Sequence, residues 1–165
     1  MILAVDVGYP PGGAKVAGVL FTDWADERPE RVLTARLGPL EEYLPGQFYR
    51  RELPALLRIV GPALPETHIV VIDGYVWLGG EHRPGLGMHL WEALGRQIPI
   101  IGVAKSRFHG TPEETEVFRG TSRSPLFVTS VGLPLEEAQG CVRRMAGEHR
   151  VPTLLKDVDR LSRSG

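Results

Sequence analysis

The chain has 165 residues, a net charge of −1, 42% hydrophobic and 24% charged residues. These proportions suit one folded domain with a sizeable core and exclude a disordered chain. Cys141 is the only cysteine, which excludes a disulfide framework and a cysteine-rich zinc site.

No apolar run approaches the ~20 residues of a membrane span, and strand-like sequence begins at Ile2 with no basic leader. The expectation is one cytoplasmic domain over residues 1–165, with a monomer favoured and no membrane partner. Residues 1–82 carry 7 Lys and Arg against 11 Asp and Glu, while residues 83–165 carry 12 against 9. The asymmetry suits an acidic metal site beside a basic groove, or two ordinary surfaces.

Ile2 to Val7 (ILAVDV) reads as a first strand whose one charge is Asp6. The turn GYPPGG (8–13) follows, then a second strand from Lys15 to Thr22. An exposed turn at 23–30 leads to a third strand from Arg31 to Leu37. Three strands on short links predict an antiparallel meander. A lone carboxylate in an apolar strand is costly unless paired or bound to a cation. Alternatively, Asp6 ends the strand and caps the Gly8-Tyr9-Pro10 turn.

Tyr43-Leu44-Pro45-Gly46 is a turn presenting an aromatic ring. The ring either packs beneath its loop or stacks on a nucleobase. Leu53, Leu56, Leu57 and Val60 have helical spacing, and Pro54 fits the first turn of a helix. Glu52 then lies at or near the N-cap, where an acid suits the helix dipole.

The stretch from His68 to Arg107 organises the rest. Four apolar β-formers, Ile69 to Ile72, run into Asp73-Gly74, and Pro99 to Ala104 repeats the pattern and stops at Lys105. Runs apolar at every position predict strands covered on both faces. An acid and a base thus leave the carboxyl ends of two core strands, where open α/β sheets place ligands. Between them lie a Gly-rich loop (74–87) containing Glu81 and His82, and a short helix from His89 to Arg96.

Residues 106–124 lack periodicity and read as a loop lining the site. Leu126 to Val131 is a further strand. Pro134 to Ala146 is a helix with Leu135, Ala138, Val142 and Met145 on one face. Pro152 starts a last helix with Leu154, Leu155, Val158 and Leu161 inward. Asp157 and Asp159 cannot face the same way on it, and which of them joins the site stays open.

The order β-β-β-α-β-α-β-β-α-α predicts an α/β fold. Its sheet is five-stranded and mixed, a meander plus parallel strands, flanked by helices in the ribonuclease-H-like pattern. The ends of the first and fourth strands are then neighbours, and Asp6 meets Asp73. Two such carboxylates repel unless a cation joins them. Hard Mg²⁺ or Mn²⁺, held by one or two carboxylates plus substrate phosphate, suits them. Glu52 could complete the cluster, Lys105 could bind a scissile phosphate or simply pair with Asp73, and His82 could move a proton.

With these residues in view, the chain resembles the endonuclease V family, the deoxyinosine-directed 3′ endonucleases. The resemblance rests on VDVGY around Asp6, EYLPGQFYRRELP from Glu42 to Pro54, VIDGY around Asp73, RPGLGMHL, and IPIIGVAKSR with Lys105. It continues into PLFVTSVGLPLEEA and PTLLKDVDRLSR. It implies Mg²⁺-dependent cleavage, with Mn²⁺ as substitute, of a phosphodiester near inosine in DNA or RNA. Asp6, Glu52 and Asp73 fall on the family's catalytic, metal-holding acids, Lys105 on its lysine, and His82 near its histidine. Tyr43, Leu44, Pro45 and Gly46 fall on the loop that wedges at the lesion, and Tyr9 and Ser106 flank the motifs as candidate substrate contacts. The chain departs from the pattern at Glu42, where a proline is usual, and at Leu133, where a histidine often follows the turn. A shortened relative that only binds nucleic acid or a protein partner, and a nuclease for another nucleic-acid structure, are the alternatives.

Overall fold

A computed structural model describes residues 1–38 and 48–165, with no side-chain statement for Phe48. The expected stacking turn, Tyr43, Leu44, Pro45 and Gly46, lies outside the described residues. Strands β1 (Ile2–Gly8), β2 (Ala14–Phe21) and β3 (Arg31–Leu37) form the meander. Helix α1 (Phe48–Ala63) crosses over to β4 (Ile69–Asp73). A hairpin of two-residue strands, β5 (Trp77–Leu78) and β6 (Arg83–Pro84), leads to α2 (Leu86–Ala93) and β7 (Ile100–Ala104). The chain ends with β8 (Glu116–Val117), β9 (Leu126–Val131), α3 (Leu135–Arg144) and α4 (Thr153–Arg163).

Among the described residues the main sheet runs β3-β2-β1-β4-β7-β9-β8, seven strands rather than the expected five. All six strand segments read from the sequence are present, one more than a five-stranded sheet holds, and the first five stand in the ribonuclease-H-like order. β9 then pairs antiparallel with β7 and carries the short edge strand β8, which extends the sheet. β8 has two residues, too few for any periodicity to show.

The parallel pairs β1–β4 and β4–β7 put the carboxyl ends of three strands on one edge. Period-2 alternation sorts their side chains into two cores. Leu3, Val5, Val70, Ile72 and Ile100 pack on the face covered by α1 and α2. Ile2, Ala4, Ile69, Val71, Ile101 and Val103 pack on the face covered by α3 and α4. The same parity aims Asp6, Asp73 and Lys105 at the α4 side.

Helix α1 begins at Phe48, five residues before the first apolar marker at Leu53. Glu52 is therefore inside the helix and buried, not at its N-cap, and Pro54 sits a full turn or more from the start. Pro54 was a misleading start signal: it forfeits one i→i−4 bond, which the packing of Leu56, Ile59 and Val60 outweighs. Helix α2 likewise starts three residues early, at Leu86, because Gly85 supplies its entry.

Gly102 lets the loop after β4 cross the sheet. A Cβ there would stand 2.6 Å from the Gly74 carbonyl oxygen, 2.8 Å from Thr129 Oγ1 and 3.0 Å from the Val76 nitrogen. Val76 N–H donates to Thr129 Oγ1 at 2.8 Å, which pins the loop beside β7. Gly102→Ala is expected to destabilise by about 2 kcal/mol, because backbone must move. Gly61→Ala, on an open face of α1 with nothing within 4 Å, is expected to stabilise by up to ~1 kcal/mol. Paired thermal-unfolding scans check both, and equal midpoints for the two variants would refute the close crossing.

Candidate active site

Asp6 ends an apolar run on β1, is 7% exposed, and meets Asp73 at the neighbouring strand end. A third acid comes from α4. Asp6, Asp73 and Asp159 each present an oxygen within 4.8 Å of the others, the one such group among the described residues. The sequence left Asp157 and Asp159 open, and the structure separates them. Asp157 pairs with Arg160 at 3.2 Å, whereas Asp159 turns toward Asp6 while pairing with Arg163 at 2.8 Å.

Helix α4 reaches the strand because Gly8 has no side chain: a Cβ there would lie 2.3 Å from the Ser162 carbonyl oxygen. Lys15 Nζ donates to the Ser164 carbonyl and hydroxyl, both at 3.0 Å, and ties down the helix end. Leu154 and Val158 bury the apolar face, each stabilising by roughly 1.5–3 kcal/mol.

Lys105, one residue past β7, brings Nζ to 3.6 Å from Asp73 Oδ2. Glu52 approaches from the other side of the sheet edge. Tyr9 Oη donates to Glu52 Oε2 at 2.6 Å, and the Arg51 guanidinium lies 4.2 Å from the Tyr9 ring centre. Tyr9 is thus bound to a candidate acid while its ring stays 39% exposed.

Charge is held here against its preference. Burial, then the charges of Asp73 and Asp159, push the Asp6 carboxyl well above the usual carboxylate range, with Lys105 pulling the other way. Burial also raises Asp73, against the opposing pull of Lys105 and with a further push from Asp159. Glu52 is pushed up to about 7, chiefly by burial; the Tyr9 hydrogen bond lowers it and the Asp73 charge raises it. A divalent cation would remove this conflict, and three converging carboxylate oxygens are a fitting donor set for a hard ion.

Two cavities flank the β5–β6 hairpin. One, of about 380 Å³, opens beside Asp73 and is walled by Tyr75, Leu78, Pro84 and Phe108, with Gly74 and Gly85 presenting backbone. The other, of about 320 Å³, is lined by Trp77, His82, Thr111, Thr129 and Leu133. His82 stacks on Trp77 with ring centres 5.6 Å apart, and none of the candidate acids borders its cavity. The structure therefore brings Asp6, Asp73 and Lys105 together, sets Glu52 and Tyr9 beside them, and places His82 apart. Ser106 is exposed next to Lys105, its carbonyl accepting from Tyr75 Oη at 2.7 Å. Leu133 borders the second cavity.

The model of the family described as endonuclease V matches residues 1–151. The chain belongs to the endonuclease V family. It is 38% identical over 130 residues to the endonuclease V of Rhodospirillum centenum, covering 76% of this chain and 52% of that protein. It is 32% identical over 182 residues to the endonuclease V of Thermus thermophilus, covering 94% of this chain and 77% of that one. The chain thus spans about half the length of the first relative, 52%, and 77% of the second.

Its fold matches the endonuclease V of Streptomyces avermitilis with a TM-score of 0.68 at 26% identity, covering 98% of this chain and 78% of that one. It matches an endonuclease V of Ciona intestinalis, solved with a 23mer DNA containing an inosine, with a TM-score of 0.74 at 19% identity, covering 98% and 83%. Asp159 lies beyond residue 151, where the family match ends.

The raised acids set a pH dependence. Glu52 keeps its proton to about pH 7 when folded but only to about 4.5, its ordinary value, when unfolded. Between those values the native state binds more protons, so stability falls as pH rises through the window, by roughly 3 kcal/mol for this group. Asp6 and Asp73 shift in the same direction. Without metal, the thermal midpoint is expected to fall from about pH 4.5 to about pH 7.5, and a divalent cation to restore it at the upper end. Asp6→Asn is expected to raise the metal-free midpoint at the upper pH and to abolish the gain from the cation. A flat pH profile would show that the carboxylates do not repel as the geometry requires.

Proposed function

We propose that this chain is a divalent-metal-dependent endonuclease, using Mg²⁺ with Mn²⁺ as substitute, that hydrolyses a phosphodiester near inosine in a nucleic acid. The observation that carries the reading is the convergence of Asp6, Asp73 and Asp159 with Lys105 at 3.6 Å from Asp73. Membership of the endonuclease V family supports it, as does the inosine-containing DNA bound by the Ciona relative.

Asp6, Asp73 and Asp159 would hold the metal. Bound there, it would supply Lewis-acid stabilisation of phosphate charge and lower the pKa of water. Lys105 neutralises charge on the scissile phosphate. Glu52, whose pKa is pushed to about 7, takes a proton from the attacking water at Oε1, the oxygen that Tyr9 leaves free. The cavity of about 380 Å³ beside Asp73 receives the base, stacked against Tyr75 and Phe108. His82 serves no step at the acids in this reading; it shapes the hairpin from the far side. The domain works as a single unit over residues 1–165.

The test is a nicking assay on matched strands containing deoxyinosine, inosine or adenosine, with and without Mg²⁺ or Mn²⁺. Cleavage should require metal and favour the inosine strands. Asp73→Asn and Lys105→Ala should each lower kcat by roughly 100-fold or more. A metal-bound wild type that binds the strands without cutting them would leave a binding-only relative as the reading.

A further inference from the structure

Among the described residues the Lys105 ammonium pairs with Asp73, a partly exposed contact that leaves its placement to its backbone. That backbone is gripped on two sides. On one side Arg150 donates from Nη2 to the Lys105 carbonyl and, at 2.7 Å, to the Pro125 carbonyl; its Nε donates to the Ser124 carbonyl at 3.1 Å. Arg150 is itself fixed. Arg119, 6% exposed, spends its guanidinium on the carbonyls of Met145, Gly147, His149 and Arg150 across the α3–α4 turn. A buried guanidinium satisfied by four carbonyls makes that turn a rigid post.

On the other side the grip is Tyr75. Its hydroxyl donates to the Ser106 carbonyl at 2.7 Å and accepts from the Phe108 amide at 3.1 Å. Both groups belong to the turn that follows Lys105. The Tyr75 ring, meanwhile, walls the cavity beside Asp73, and the Phe108 ring, 6.2 Å away, is another wall. One side chain therefore faces the cavity with its ring and holds the lysine turn with its hydroxyl.

We propose that Tyr75 is a specificity-determining positioning residue: it couples occupation of the cavity beside Asp73 to the placement of Lys105. A planar base seated against the ring fixes the hydroxyl, the hydroxyl fixes the turn, and Lys105 is held on the phosphate against the Arg150 post. An empty or badly filled cavity leaves the ring without a stacking partner, so the hydroxyl holds the turn less persistently and the lysine is less often in place. This rests on the nuclease reading above and adds to it how base recognition reaches the chemistry.

Tyr75→Phe keeps the ring and removes only the hydroxyl. On the inosine strand it should lower kcat about tenfold with KM within about twofold, and lower the rate on the adenosine strand by clearly less, so that the inosine preference falls. Arg150→Lys should lower both rates alike, because the post serves every substrate. In a Lys105→Ala background Tyr75→Phe should have no further effect on kcat, since the two act as one unit. Unchanged inosine preference in Tyr75→Phe, or an undiminished effect in that background, overturns the coupling.

A second measurement does not use activity. Saturating free inosine should slow amide exchange at Gly74, Lys105 and Ser106 in the wild type, but only at Gly74 in Tyr75→Phe. Slowing at Gly74 alone in the wild type overturns the coupling even if the enzyme cuts as proposed. A wild type that cuts neither strand yet shows the full slowing pattern removes the nuclease reading and keeps the coupling.

Discussion

The structure turns on the repulsion among carboxylates that share a space 4.8 Å wide at one sheet edge. No folded chain gathers such groups without an opposing cost, and here the cost is spread over several elements. Parallel β1 and β4 place Asp6 beside Asp73 as an outcome of backbone pairing, so neither can swing away. Helix α4 is pressed onto β1 through the bare Gly8 backbone, and its apolar face compensates for the acid that it brings. Lys105 is the compensating charge within reach of Asp73, and it sits a third exposed, where solvent weakens the pair.

The same edge divides labour by face. Acids and lysine share the α4 side by strand parity, whereas Glu52 comes from α1, Tyr9 from the turn after β1, and the cavity walls from the β4–α2 connection and the loop that carries Phe108. A substrate lying along the edge would meet charge on one side and aromatic and backbone surface on the other. Those two surfaces do different work, because phosphate contacts set position and base contacts set identity. Among the described residues, the end of β4 and the turn after Lys105 touch both.

Strand parity made most of this legible beforehand. The all-apolar runs into Asp6, Asp73 and Lys105 could be only buried strands, and their ends could lie only at one edge once the meander preceded the crossovers. Beyond β7, the strand Leu126 to Val131 was legible with its bounds, whereas the edge strand β8 was not, because it is two residues long. Glu52 was found by motif but misplaced within its helix, since Pro54 carries a start signal that packing overrode. Asp159 was half visible. Periodicity separates it from Asp157, but only the contact of Ser162 with Gly8 decides which of them faces the acids. His82 lies in the turn of the β5–β6 hairpin, stacked on Trp77 and away from the acids; a titratable side chain in a Gly-rich loop gives no sign of which side of a hairpin it will take.

The docking of α4 has a consequence in time. The chain emerges from synthesis with its amino end first, and domains begin to organise as they emerge. Asp6 and Asp73 are in hand when less than half of the 165 residues exist, yet the third carboxylate is added by residue 159. The sheet edge can therefore form with two acids in place, and the three-acid group is completed only when α4 docks on it. The docking of α4 on β1 and the completion of the three-acid group are one event.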